Sequence, residues 1–313
     1  MKPRTTTAFL LGLFVFSQLL FPANAAPTRT VGRSVSLAPA APSSQGLSFA
    51  GHVGGMPQAV TVNGTYLYAG LGSELTILDI ADPTAPSQAG RILLGMIQKL
   101  VVVDNRLYVA ADKLYILDIT NPAAPAMVGS FAVPGDARDL AILGAMAYIT
   151  SQGMLHIVNI ADPAAPSEVG VYSSSTVSYR LDRVAVVGHY AYLNALSCGE
   201  HCSRGLEIVD VADPAHATLV THDDQLGGFD ELVFSGSYGY VARGGSFDVW
   251  NVADPAHPVI GIQIAVDAAK LAVVGSRVYV ADTDQISSPV GCGSTTFRIR
   301  PTQCSKAFIC RRG

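Results

Sequence analysis

Apolar and polar positions alternate along this chain in short stretches that return at a nearly constant interval. Six such stretches end on a tyrosine: QAVTVNGTYLY, QKLVVVDNRLY, RDLAILGAMAY, DRVAVVGHYAY, DELVFSGSYGY and AKLAVVGSRVY, closing at Tyr68, Tyr108, Tyr148, Tyr192, Tyr240 and Tyr279. The tyrosines are spaced by 40, 40, 44, 48 and 39 residues, a period typical of propellers and solenoids. Within each stretch the apolar residues recur at period two, as at Val60 and Val62, Leu100 and Val102, or Leu140 and Ile142, which predicts a half-buried strand. Four residues before the tyrosines stand Gly64, Asp104, Gly144, Gly188, Gly236 and Gly275. Glycine takes the positive φ of tight hairpins without steric cost, and Asp is among its better substitutes. Each stretch therefore predicts strand, short turn, strand.

A third strand follows five of these hairpins, written LTILDI, LYILDI, LHIVNI, LEIVDV and FDVWNV. Each ends on Asp79, Asp118, Asn159, Asp210 or Asn251, and three residues later comes Asp82-Pro83, Asn121-Pro122, Asp162-Pro163, Asp213-Pro214 or Asp254-Pro255. A carboxylate or amide can accept from the backbone of a turn, and proline presets φ at the next position, so these pairs predict turns in preference to metal ligands. A fourth, less regular strand comes next, as in SQAGRIL and AMVGSFAV. Four antiparallel strands per unit of about 40 residues predict an all-β propeller of about six blades.

The chain resembles the LVIVD-repeat family on the strength of these third-strand phrases, which recur in register with the hairpin and Asp-Pro signals over residues 46–285. The resemblance implies a β-propeller on a secreted or surface protein and carries no catalytic residues with it. The Trp-Asp ending of other propellers is absent, the one tryptophan being Trp250 in DVWNV.

The sixth blade has its first two strands, Lys270 to Asp282, but no third-strand phrase. The segment LSFAGHV, residues 47–53, stands where a fourth strand would precede the first blade, and is expected to pair with the last blade and close the ring. TTFRIR, residues 295–300, is the expected substitute for the missing third strand. The alternative is that the text after Gln285 reflects an altered reading frame and that the natural ring has further blades.

Composition divides the chain further. Lys2 and Arg4 precede an apolar run from Ala8 to Phe21, and Ala23-Asn24-Ala25 supplies small residues where a signal peptidase reads, which predicts a signal peptide over residues 1–25. A linker rich in Pro, Ser and Ala is expected over 26–45, the propeller over 46–285, and an atypical basic, Cys-containing tail over 286–313. No later run is apolar for long enough to predict a membrane helix. Residues 26–285 carry 13 Lys/Arg against 24 Asp/Glu, a formal charge of −11, which argues against nucleic acid as a partner. The expected location is secreted, periplasmic or cell-surface, and the expected partner a protein, a glycan or an envelope component.

Two regions are candidates for binding. Nine residues before each tyrosine, where the chain enters an inner strand, stand Ala59, Lys99, Asp139, Arg183, Glu231 and Lys270, a ring of alternating charge at the channel mouth. Such a ring either binds a charged ligand or, as the favoured reading has it, forms ion pairs between neighbouring blades. The fourth blade also carries about seven extra residues within Asn194–Gly205, on the same face of the ring, including Cys198, Glu200, His201 and Cys202. Long loops on a rigid scaffold are where binding concentrates. Two Cys and one His fall short of a zinc-finger set, so a local disulfide between Cys198 and Cys202 is expected over a metal. His216 and His257 repeat within Asp-Pro-Ala-His turns and are read as surface residues. No cofactor is expected and no catalytic motif is present. A propeller hydrolase or lyase, with its acid, base and anion clamp drawn from Asp139, Asp182, Asp230, Glu231 and Arg183, is the alternative.

Overall fold

A computed structural model describes residues 57–174, 179–198, 202–266, 268–274, 277–282, 297–301 and 307–312. The chain divides into two units, Met1–Gln45 and Gly46–Gly313, and all described residues belong to the second. That unit is an all-β propeller. Blade 1 holds β1 (Ala59–Asn63), β2 (Tyr66–Leu71), β3 (Glu74–Asp79) and β4 (Ser87–Leu93), and blade 2 holds β5 (Lys99–Val103), β6 (Arg106–Ala110), β7 (Leu114–Asp118) and β8 (Ala126–Phe131). Blade 3 follows with β9 (Ala137–Leu143), β10 (Met146–Ser151), β11 (Met154–Asn159) and β12 (Ser167–Ser173). Blade 4 consists of β13 (Tyr179–Val187), β14 (Tyr190–Cys198), β15 (Cys202–Asp210) and β16 (Thr218–Asp223). Blade 5 consists of β17 (Glu231–Ser235), β18 (Tyr238–Arg243), β19 (Ser246–Asn251) and β20 (Val259–Ala265). In these five sheets every pairing is antiparallel and in chain order.

The sixth sheet is built differently. Its inner strands β21 (Ala268–Val274) and β22 (Arg277–Asp282) pair as in the other blades. The third place is taken by β24 (Ala307–Arg312), which runs parallel to β22, and β23 (Phe297–Pro301) lies outside it. The expected use of TTFRIR as the third strand is thereby corrected: its residues from Phe297 onward form the edge strand. A hairpin can join only antiparallel neighbours, and the chain from β22 reaches β24 only after passing through β23. The proposed closing strand at 47–53 lies outside the described residues.

The hairpin signals act as local chemistry dictates. Gly64, Gly144, Gly188 and Gly236 have φ of 57–58°, and Asp104 has φ of 52°. A Cβ at any of those four glycines would meet nothing within 4 Å, so backbone conformation alone accounts for the residue type. The third-strand endings form paired Asx turns in all five blades. Asp79, Asp118, Asn159, Asp210 and Asn251 accept from the N–H two residues on at 2.8–2.9 Å. Asp82, Asn121, Asp162, Asp213 and Asp254 do the same at 2.9–3.2 Å. His216 and His257 lie exposed against Asp213 and Asp254 in these turns.

Five apolar seams join consecutive blades. In each of the first four, the tyrosine of one blade packs with the inner and third strands of the next, as Tyr68 does with Leu100, Leu107 and Leu117, and Tyr192 with Leu232, Val241 and Trp250. The seam between blades 5 and 6 gathers Ala242, Phe247, Val278 and Val280, with Tyr240 partly buried beside them. Burying a Leu, Val or Phe side chain contributes about 1.5–3 kcal/mol, so the seams dominate the stability of the ring. Fourth-strand glycines bring backbones together at these seams: a Cβ on Gly90 would lie 2.7 Å from the Pro122 carbonyl oxygen of the next blade, and Gly129 and Gly170 meet Pro163 and Pro214 in the same way. Blade 4 has Thr221 at this place, and its hydroxyl instead donates to the Ala256 carbonyl at 3.0 Å.

Candidate functional site

The inner strands of all six blades enter at one end of the ring, and the charged ring lies there. A doubled residue at the strand entry turns the chain inward. Arg138 is left between the pairs Ala137↔Ser151 and Asp139↔Thr150, Asp182 between Leu181↔Ala195 and Arg183↔Asn194, and Ala269 between Ala268↔Asp282 and Lys270↔Ala281. These are β-bulges, which re-aim side chains at sheet ends.

Ion pairs between neighbouring blades form as expected from the alternating signs: Lys99 Nζ lies 3.7 Å from Asp139 Oδ1, and Lys270 Nζ 2.7 Å from Glu231 Oε2. The Lys99 Nζ also lies 3.0 Å from Glu231 Oε1, and this pair joins blade 2 to blade 5. Four members of the ring thus form one network, Asp139–Lys99–Glu231–Lys270. These are not surface pairs: the Asp139 and Glu231 side chains are only 5% and 16% exposed. The second oxygen of Asp139 accepts from the Val184 N–H at 3.0 Å, tying the network to blade 4. Arg183 is half-buried and makes no ion pair within the described residues.

Electrostatics follow from this packing. Burial works against the charge of Lys99, but the Asp139 and Glu231 carboxylates outweigh it and hold the ammonium above its ordinary range. Glu231 loses water to burial as well, yet Lys99 and Lys270 hold it below the usual carboxylate range. Asp182 goes the other way. Burial pushes its carboxyl up, and Arg183 and the hydrogen bond from Asn194 Nδ2 at 2.6 Å only partly offset that. Asp230, one position before Glu231, is committed to Arg204 at 2.8 Å and to the Gly244 N–H at 3.1 Å.

The insertion in blade 4 takes a form the spacing did not suggest. Asn194–Gly205 was expected as a loop, but the extra residues continue the ladder. β13, β14 and β15 are nine residues long against five to seven elsewhere among the five antiparallel blades. Leu181↔Ala195, Arg180↔Leu196 and Ala195↔Gly205 extend the pairing, with Ala195 fully buried. The result is a three-stranded flap at the strand-entry end of blade 4, the end that carries the charged ring. Cys198 and Cys202 are direct partners across β14 and β15. Such partners place their Cα atoms about 4.5–5.5 Å apart, inside the range that a disulfide bridges. Glu200 and His201 lie outside the described residues.

One set of polar residues was overlooked in the sequence. The second position of the third-strand phrase is polar or aromatic in each blade, and buried in all: Thr76, Tyr115, His156, Glu207 and Asp248. Each has its own partner. His156 Nδ1 meets Glu168 at 2.7 Å, and Asp248 meets Arg243 at 2.6 Å. The wholly buried Glu207 accepts from Tyr172 Oη at 3.0 Å and Ser174 Oγ at 2.5 Å, with His222 Nδ1 at 3.3 Å. Burial and the Glu207 charge push the Tyr172 hydroxyl far up. A charged letter inside an otherwise apolar strand, LEI or FDV, is the signal that would have marked these sites. Among the described residues no group of three or more His, Cys, Asp or Glu is arranged to hold a metal ion.

Comparison with known proteins agrees with this architecture. The propeller is similar to that of a Bacteroides fragilis protein provisionally assigned as a 6-phosphogluconolactonase, with 16% identity, a TM-score of 0.57, and coverage of 67% of this chain and 70% of that one. It is also similar to the periplasmic gluconolactonase PpgL of Pseudomonas aeruginosa, at 13% identity and a TM-score of 0.52, covering 66% and 69% of the two chains. A Lactobacillus plantarum protein matches at 13% identity and a TM-score of 0.55, covering 66% and 70%. At such identities the likeness speaks to fold alone. No curated protein matches the sequence. The LVIVD repeat model matches residues 54–93, 94–133, 134–174, 181–223 and 227–263, well over half of the chain, and each match spans one of the first five blades. The chain therefore belongs to the LVIVD repeat family.

Proposed function

We propose that this propeller is an exported, non-catalytic binding scaffold that engages a protein, glycan or envelope component through the blade 4 flap beside the mouth. The observation that carries the reading is the pairing of Lys99 with Glu231 across the ring. Most of the mouth's charge is spent on internal ion pairs, so the mouth acts as a brace, and the flap, with exposed Arg180, is the feature left for recognition. Rigid strands position such residues better than loops do. The test is capture of solubilised envelope proteins and glycans on the immobilised mature chain, compared with a variant whose flap is shortened to the length of blade 3. Loss of a specific captured species, with unfolding unchanged, supports the reading. Equal capture by both overturns it. Export is tested by the amino terminus of the protein recovered outside the cytoplasm, expected to begin at Ala26.

A second reading, a hydrolase or lyase at the mouth, is favoured by one observation. Asp182 is a carboxyl with raised proton affinity beside Arg183, the pairing that general acid chemistry on an anionic substrate uses. Lactones are the substrate class to try, given what two of the fold's relatives are said to act on. Ring opening that is lost in Asp182→Asn would establish it, and its absence across aldonolactones and their phosphates removes it.

A further inference from the structure

Blades 1 to 5 contain nine Lys and Arg residues, and six of them are engaged. Arg91, Arg106, Arg204 and Arg243 each meet a carboxylate, on Glu74, Asp118, Asp230 and Asp248. Lys99 belongs to the mouth network, and Lys113 lies over the Tyr115 ring at 4.9 Å. The three left over are all arginines at the mouth end of two consecutive blades: Arg138 in blade 3, and Arg180 and Arg183 in blade 4. Among the described residues none of them makes an ion pair or a side-chain hydrogen bond. Blade 3 is stitched to the entry of β13 at three points, which sets these arginines side by side. The Leu181 N–H donates to the Gly153 carbonyl at 3.1 Å, Thr150 Oγ1 to the Asp182 carbonyl at 3.2 Å, and the Val184 N–H to Asp139 Oδ2 at 3.0 Å. Gly153, with φ of 81°, lets Arg180 come close, since a Cβ there would lie 3.1 Å from the Arg180 Cβ. The bulges at Arg138 and Asp182 then re-aim the strand entries of both blades.

We infer that this sector of the mouth binds a phosphate monoester, with Arg138, Arg180 and Arg183 as its donors. Guanidinium forks match the oxygens of phosphate and carboxylate, and arginine prevails over lysine where that planar match is used. Three guanidiniums exceed what the two oxygens of one carboxylate can take, whereas a phosphate monoester offers three oxygens and close to two charges. Three carboxylates share the sector. Asp139 is taken by Lys99 and the Val184 N–H, Asp182 accepts from Asn194, and exposed Asp136 makes no ion pair among the described residues. The charge of the body limits the size of the ligand. Residues 26–285 carry −11, so an extended polyanion is repelled beyond the arginines, while a compact group lies within the Debye length of about 8 Å over which their charge is felt. The inference rests on the recognition role of the flap only for Arg180, because Arg138 and Arg183 stand outside it.

The test is calorimetric titration of the full mature chain with phenyl phosphate and with benzoate, which share a ring and differ in the anion. Co-sedimentation with phosphatidylcholine vesicles, with and without phosphatidic acid, runs beside it. If the inference holds, phenyl phosphate binds in the millimolar range or tighter, more tightly than benzoate, and added salt weakens it. Arg138→Gln and Arg183→Gln each weaken binding by about tenfold, and Arg183→Lys, which keeps the charge and loses the fork, weakens it less. Arg91→Gln, which gives up a pair on blade 1, leaves it unchanged. Because the three arginines hold no protein partner, their variants keep the wild-type Tm without ligand. Binding of phenyl phosphate assigns a soluble ligand, and binding only of vesicles that carry phosphatidic acid assigns a lipid headgroup; either supports the site when lost in the triple Arg→Gln variant. No binding of either kind overturns the inference, as does benzoate binding as tightly as phenyl phosphate or a triple variant that binds like wild type. Both measurements use the purified chain without an envelope partner, so phosphate binding and capture by the flap fail separately.

Discussion

The two ends of this propeller are built on opposite plans. At the hairpin end, five blades repeat one solution: a residue of positive φ opens the first turn, and two Asx residues three apart close the second with near-identical hydrogen bonds. At the mouth the blades diverge. Blade 2 offers Lys99, blade 3 a buried Asp139, blade 4 the long flap with Asp182 and Arg183, and blade 5 Glu231 with Asp230. Repetition marks what every blade needs in order to fold, and divergence marks what the ring uses once. Carboxylates illustrate the contrast. Those of the hairpin end, such as Asp82 and Asp254, are held below their usual range by hydrogen bonds in open solvent, whereas Glu231 at the mouth is held down by two lysines after burial has pushed it up.

Removing the brace should have the largest effect. Lys99→Met leaves Asp139 and Glu231 facing a buried hydrocarbon, and breaking a buried pair of this kind costs about 3–5 kcal/mol. Chemical unfolding at neutral pH measures it, and a loss under about 1 kcal/mol would show that the mouth is wetter than its geometry indicates.

The pH dependence sharpens the same point. Glu231 is held below its ordinary value of 4.5, so its contribution is present above that value and disappears as pH falls through the lower folded-state value. Lys99 is held above 10.5, and its contribution is present below that pH and is lost as pH climbs through the raised value. Asp182 has the opposite sign to Glu231: raised from 3.8, it favours the folded state when protonated, and that advantage fades as pH rises past 3.8 through the raised value. Urea titrations of wild type and Glu231→Gln should therefore differ most near neutrality and converge in acid. A constant gap down to acid pH would mean that the pair contributes no net charge interaction.

At the hairpin end a single loss is expected to stay local. Asn159→Ala removes one side-chain acceptor from one of five equivalent turns and should cost about 1 kcal/mol, with the other blades unaffected by amide exchange. The smallest effect belongs to Lys270→Ala. Its ammonium touches Glu231, but the side chain is 59% exposed, so roughly 0–1 kcal/mol is expected. A larger cost than for Asn159→Ala would show that the outer lysine is part of the brace.

Much of the fold was legible because its signals are local. The turn residues, the period-two strands and the Asp-Pro endings act within a few residues of themselves. The charged ring was legible as a set of positions, since equivalent residues of a repeat occupy equivalent places. Its wiring was not. The sixth sheet escaped as well, because β24 carries no repeat phrase and pairs with β22 in a direction that strand spacing does not encode. The blade 4 insertion was visible as extra length, but whether extra residues coil or extend a ladder depends on β13 lengthening with them at Tyr179–Leu181. Buried Glu207 and Asp248 went unnoticed since a polar residue in a strand ordinarily faces water. Here both faces of the third strand are covered by neighbouring blades.

The sequence by itself determined the number and kind of elements in five blades, their turns and the order of their pairing, because each rests on contacts between neighbours along the chain. Only the tertiary structure decided that Lys99 meets Glu231, 132 residues away. That contact exists because closing the strands into a ring brings opposite blades within the reach of one lysine side chain. Once water is excluded there, a pair of charges that would be weak at an exposed surface becomes a brace.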